Sequence, residues 1–299
     1  MKNQNLFIGL FAVMLLSLST VAASAQKTAV KPIIFAVSGD GKSLEPIAYI
    51  SKGKLEPPVS GGDEANLITA FNKTYYKPGT VYRLIFGSAN AGTVTVKSSN
   101  AKAECSRNVA TVTTSSPKAQ LKGLVEGLAT NAPIKTTTVS YRRKPTAAEK
   151  DEIDALAKAE FVKQKLTPKV MRYQNLTALD IDNDGKADFV GSYWVEIDKL
   201  TRGLLFFIAT KDSKGKYAIG YQEYRSIDQA SLMSGAEIKM VDDGTLHELL
   251  LDAYDFDGDG TAEIFTSESS FEGIGFYVYR RSGTKWTRVF EGSNYHCGF

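Results

Sequence analysis

Apolar residues come in short β-branched or aromatic runs along most of the chain, which predicts strands rather than helices. In the first half the runs cover residues 32–37, 80–86, 93–96, 109–114 and 136–141, with Gly, Asn and Ser recurring between them. In the second half they cover 188–195, 203–208, 217–221, 263–267, 275–279 and 285–290. Helical spacing appears in two places. Leu121, Leu124, Val125 and Leu128 predict a short helix over 117–129. Ile153, Leu156, Ala157 and Phe161 form a narrow stripe behind a Thr146/Glu149 capping-box pattern. Pro145 and Pro168 flank that second stretch, so a connector helix is expected over 146–168.

The expected fold class is therefore mainly β. An antiparallel β domain, a sandwich or small barrel, occupies 26–145, and an acidic β repeat domain occupies 169–299 beyond the connector. Charge supports the division. Residues 26–145 carry a net charge of +10 and residues 146–299 a net charge of −8. The lysines of the basic half are scattered rather than clustered, so no nucleic acid partner is expected. With 43% hydrophobic residues, 25 Gly and 9 Pro, the composition excludes a disordered or collagen-like chain.

Residues 1–25 have the form of an export signal: Lys2, an apolar run over 6–18, and Ala23-Ser24-Ala25 before Gln26. The run is shorter than the ~20 residues a membrane-spanning helix needs. The expectation is an exported protein, periplasmic or secreted, with no transmembrane segment in its mature chain.

The chemistry lies in a repeat. Residues 180–188 read Asp-Ile-Asp-Asn-Asp-Gly-Lys-Ala-Asp, and residues 255–263, 75 positions later, read Asp-Phe-Asp-Gly-Asp-Gly-Thr-Ala-Glu. Carboxylates at positions 1, 3 and 5 (Asp180, Asp182, Asp184; Asp255, Asp257, Asp259) can converge on one point. Glycine at position 6 allows a sharp turn that brings the position-7 carbonyl (Lys186 or Thr261) toward the same point, and position 9 (Asp188 or Glu263) closes the cage. So many carboxylates in nine residues would repel one another without a cation. Two calcium sites are expected, the larger ion suiting a flexible carboxylate-rich loop better than magnesium.

The loops are not EF-hands, because position 12 holds Gly191 or Thr266 instead of Glu and the flanks are strands. A calcium loop between two strands, followed by two further strand runs, resembles the FG-GAP/VCBS class of repeats over about residues 173–299. That resemblance implies blade-like four-stranded antiparallel units of the kind found in β-propellers. Two visible units fall short of the four blades a closed propeller needs, so two blade-like sheets are expected instead.

Cys105 and Cys297 are the only cysteines. An oxidising compartment allows them to bridge, with two free thiols as the alternative. No catalytic residues are assigned; His296 beside Cys297 is not by itself a catalytic pair. The functional expectation is a calcium-binding module of binding, adhesion or envelope-structural type with an unknown protein or glycan ligand. The alternative is a calcium-dependent extracellular hydrolase acting on polysaccharide or another polymer.

Overall fold

The computed structural model describes residues 30–133, 141–212 and 214–297. Residues 1–25, expected to be an export signal, and most of the strand expected over 136–141 lie outside them. The first sheet contains β1 (Ile33–Ser38), β2 (Ser43–Ser51), β3 (Lys54–Glu56), β4 (Val81–Phe86), β5 (Ala89–Ser99), β6 (Ala110–Ser115) and β7 (Gly127–Thr130), with helix α1 (Ala65–Tyr75) between β3 and β4. Six of its strands run β1-β7-β4-β5-β6-β2, and β2 pairs back onto β1, closing an antiparallel barrel. The closed element of this fold is thus the small barrel, not a propeller.

Strand β1 explains why its sequence is apolar throughout. Side chains alternate across a strand, so Ile33, Phe35 and Val37 enter the barrel interior with Tyr82, Leu84 and Val94. Ile34 and Ala36 face outward into a second core. Helix α1 adds Phe71 and Tyr75 to the barrel core, and Tyr76 follows at its end. Pro46 in β2 sits at a register shift opposite Phe35, where a missing N–H costs least.

The helix expected over 117–129 is not there. Lys122 and Val125 form an isolated bridge, Gly123 has a φ of +60°, and the segment ends in β7. Leu124 and Val125 are exposed, so the spacing that resembled a helix face buries no such face.

Helix α2 (Ala147–Lys163) starts at Thr146, with both halves of its capping box formed by Glu149. It packs Ile153, Ala157 and Phe161 on a five-stranded antiparallel sheet ordered β12-β11-β10-β9-β8. The strands are β8 (Arg142–Arg143), β9 (Arg172–Leu179), β10 (Asp188–Asp198), β11 (Thr201–Lys211) and β12 (Tyr217–Asp228). The first blade-like unit, β9 to β12, therefore gains a short fifth strand from before the helix. Gly191 is needed here for packing: a Cβ would lie 2.5 Å from the Phe207 ring.

After helix α3 (Ile238–Asp242), the second unit is a four-stranded antiparallel sheet, β13 (Glu248–Tyr254), β14 (Glu263–Ser269), β15 (Gly273–Ser282) and β16 (Lys285–Tyr295). One face buries Leu251, Phe265, Phe276 and Val278 against the outside of the barrel. The other buries Leu250, Ile264, Tyr279 and Trp286 against Leu179, Val190, Phe206 and Ile208 of the five-stranded sheet. The layers run barrel, four-stranded sheet, five-stranded sheet, α2. Each fully buried Phe or Ile in these layers contributes roughly 1.5–3 kcal/mol. Cys105 and Cys297 form a disulfide that ties the last strand to the barrel.

Candidate metal centre

Both acidic segments are hairpin loops of the same design. In the first, Leu179 pairs with Asp188 where β9 meets β10; in the second, Tyr254 pairs with Glu263 where β13 meets β14. The residue before position 1 is thus in register with position 9 in both. Positions 4 and 6 take left-handed backbone in both: Asn183 and Gly185 at φ +58° and +77°, Gly258 and Gly260 at +80° and +96°. The position-6 turn falls where the sequence places glycine. The left-handed position 4 is an additional constraint, met by Asn or Gly, the residues that tolerate it best.

These turns aim backbone N–H groups at the position-1 carboxylates. Asp180 accepts from Asp184 and Gly185, both at 3.1 Å. Asp255 accepts from Gly258 at 2.6 Å and Gly260 at 3.0 Å. Each loop is therefore wound around its first aspartate before any ion is considered.

Two groups of carboxylates converge, and each could hold a metal ion. Asp180, Asp182 and Asp184 each bring an oxygen within 4.8 Å of the others, and so do Asp255, Asp257 and Glu263. An ion with bonds of about 2.3–2.6 Å can bridge oxygens over that span. The two groups differ in membership. In the first loop Asp188 stays out of the group, buried, with its Oδ2 accepting from the Ile181 N–H at 3.4 Å. In the second it is position 5 that stays out: Asp259 is exposed and accepts from the Thr261 N–H at 2.8 Å. Lys186 is exposed and its Nζ pairs with Asp184 at 2.8 Å, a contact that holds the Asp184 carboxyl below its usual range. Thr261 is half-buried at the equivalent position.

Burial makes two of these oxygens unusual. Glu263 is 1% exposed; its Oε1 accepts from Arg280, and its Oε2 is buried with no hydrogen-bond partner. Asp182 Oδ1 is likewise buried and unpartnered, while its Oδ2 accepts from Arg281. A buried carboxylate oxygen without a donor carries a full desolvation penalty. Burial pushes the Glu263 carboxyl up to about 7, against the opposing pull of Arg280, and the Asp188 carboxyl also up to about 7. Hard oxygen donors and two unsatisfied buried acceptors fit a hard metal cation, which would satisfy both.

Arg280 and Arg281 are the site residues that sequence reasoning missed. They lie on β15, more than 15 residues past the second loop and about 100 past the first, and no spacing signal links them to either.

Two other regions bear on chemistry. Ser192, Glu223, His247 and Glu248 line a cavity of about 10 Å³ between the two sheets, room for about one water. A larger cavity of about 570 Å³ is lined by Lys118, Lys144, Lys150, Tyr173 and Asn175 among others, and no carboxylate or histidine occurs among its described lining residues. His296 is held by Glu45 at 2.7 Å, and Cys297 is consumed by the disulfide, so neither is free for nucleophilic chemistry.

No protein-family model, curated protein or solved structure matches this chain. Among the described residues no helix is long and apolar enough to cross a membrane.

Proposed function

We propose that this protein is an exported calcium-binding module of the FG-GAP/VCBS type, in which two ions brace the hairpin loops of two stacked sheets. The observation that carries the reading is Glu263 Oε2. It is a buried carboxylate oxygen without a donor, in a residue whose carboxylate groups with Asp255 and Asp257. Calcium at this loop and at the Asp180, Asp182 and Asp184 loop satisfies oxygens that the protein itself leaves unpaired. The ions are structural, because the loops join strands whose side chains form the core between the sheets.

The partner on this reading is a protein or glycan ligand, or an envelope component. A hydrolytic role is the weaker reading. The paired carboxylates Glu223 and Glu248 share a cavity too small for a polymer, and the larger cavity presents cations. Calorimetric titration of the protein with calcium and with magnesium tests the proposal. Two calcium sites with weaker magnesium binding are expected; no calcium heat would refute it.

A further inference from the structure

Arg280 and Arg281 are consecutive on β15, so their side chains leave the strand on opposite faces. Each ends on a different acidic loop, and on the same position of it. Arg280 donates from Nη2 to Asp257 Oδ2 at 2.6 Å and from Nε to Glu263 Oε1 at 2.8 Å. Arg281 donates from Nη1 to Asp182 Oδ2 at 2.6 Å. Asp182 and Asp257 are both third in their loops. One dipeptide therefore supplies a guanidinium to the position-3 carboxylate of both sites.

We infer that Arg280 and Arg281 are built-in counter-cations that set the affinity of both metal sites, competing with the ion for the position-3 aspartates. This rests on the calcium reading above. Each loop carries four carboxylates, which without positive charge would repel one another. The arginines relieve that repulsion in the metal-free protein and so remove part of the electrostatic gain an incoming ion would otherwise collect. They also occupy one oxygen each of Asp182, Asp257 and Glu263 and leave Asp182 Oδ1 and Glu263 Oε2 for the ion. A guanidinium cannot lose its charge at any accessible pH, so the competition is permanent. Calcium affinity depends on the charge of the ligand set. Offsetting that charge moves the sites toward about 10⁻⁴–10⁻³ M, the range of extracellular calcium modules.

Calorimetric titration of the full chain with calcium, for wild type, Arg280→Gln, Arg281→Gln and Arg280→Lys/Arg281→Lys, tests the inference. Removing one positive charge about 6 Å from a divalent ion is worth about tenfold in affinity even at the dielectric of water, and more where the site is buried. Each Gln variant is expected to tighten one site at least about tenfold, and the double Lys variant to stay near wild type. Gln variants that bind calcium equally or more weakly, beside a wild type that binds, overturn this inference and leave the calcium reading standing. No binding by wild type or any variant overturns both. Binding by the Gln variants alone supports the competition while refuting calcium occupancy in the natural protein. Should a Gln variant fail to fold in EDTA, as judged by circular dichroism, a second measurement uses wild type only. Rotation about the Arg280 Nε–Cζ bond, which the Nη2 contact to Asp257 restrains, should speed up by about threefold or more once calcium is saturating. Unchanged or slower rotation overturns the inference.

Discussion

The backbone N–H of Ala262 in the second acidic loop donates to the carbonyl of Ile181 in the first at 2.9 Å. Both side chains are buried in the core between the two sheets. The loops are therefore joined directly, edge to edge, and the state of one should be felt by the other.

Hydrogen exchange at the Ala262 amide should report that connection. Calcium is expected to slow it at least about tenfold, because stiffening both loops suppresses local opening. Asp182→Asn, a change confined to the first loop, should remove much of the added protection in the second. Full protection in Asp182→Asn would show that the loops behave independently.

Arg142 and Asp252 form an ion pair at 2.7 Å with side chains 4% and 0% exposed. Asp252 also accepts from the Gly87 and Ser88 N–H groups at the end of β4, so it ties the four-stranded sheet to the barrel. Asp252→Ala should cost about 3–5 kcal/mol in urea unfolding, since it strands a buried guanidinium and removes the acceptor from two backbone donors. Adding Arg142→Met should recover part of the loss. A cost near zero for Asp252→Ala would contradict this account of the interface.

Glu248 gives a pH dependence of definite sign. Its carboxyl accepts from Thr266 at 2.6 Å and Tyr279 at 2.7 Å, and it lies 3.8 Å from Arg288 Nη2, which pairs with Glu223 at 2.6 Å. Burial pushes it up to about 7. The folded state thus holds a proton that the unfolded chain releases near 4.5. This contribution to stability is fully present below about pH 4.5 and is lost as pH rises through about 7. Glu248→Gln keeps an acceptor for both hydroxyls and removes the titration. Between pH 5 and 8 the variant should lose less stability than wild type, by up to about 3 kcal/mol. Glu126 shifts in the same direction and is unchanged in the variant, so the difference isolates Glu248. Parallel pH curves would refute the assignment.

The disulfide closes a sequence separation of 192 residues, for which loop-closure entropy gives at most about 5 kcal/mol. It is not the only anchor of the last strand. Asn294 bonds Glu45, Asn108 and the Gly61 N–H, and His296 bonds Glu45. Cys105→Ser/Cys297→Ser should therefore fold with native near-ultraviolet circular dichroism but unfold at lower urea. Loss of the native signal without urea would show that the bridge is required for folding.

Local features were legible in the sequence and distant pairings were not. The capping box at Thr146 and Glu149, the spacing of both acidic loops and most strands depend on neighbours within about ten residues. Strand β2 was hidden by Pro46, which only the bulge opposite Phe35 accommodates. Helix α1 carries Ile68, Phe71 and Tyr75 at helical spacing, while the same spacing at Leu121 to Leu128 belongs to a turn and a strand, so short apolar spacing alone does not separate the two. Closure of the barrel by β1 pairing with both β2 and β7, and the reach of Arg281 to Asp182, are set by packing across the whole chain.

The central claim, that both loops bind calcium and that this binding braces the fold, is tested most directly by thermal melting of the protein in EDTA and in 10 mM calcium. Over dissociation constants of about 10⁻⁴–10⁻³ M this is a tenfold to hundredfold excess, at which each site contributes about 1.4–2.7 kcal/mol. The melting temperature should then rise by roughly 5–20 °C, and Asp182→Asn/Asp257→Asn should abolish most of the rise. Superimposable wild-type melts in EDTA and calcium would contradict the account.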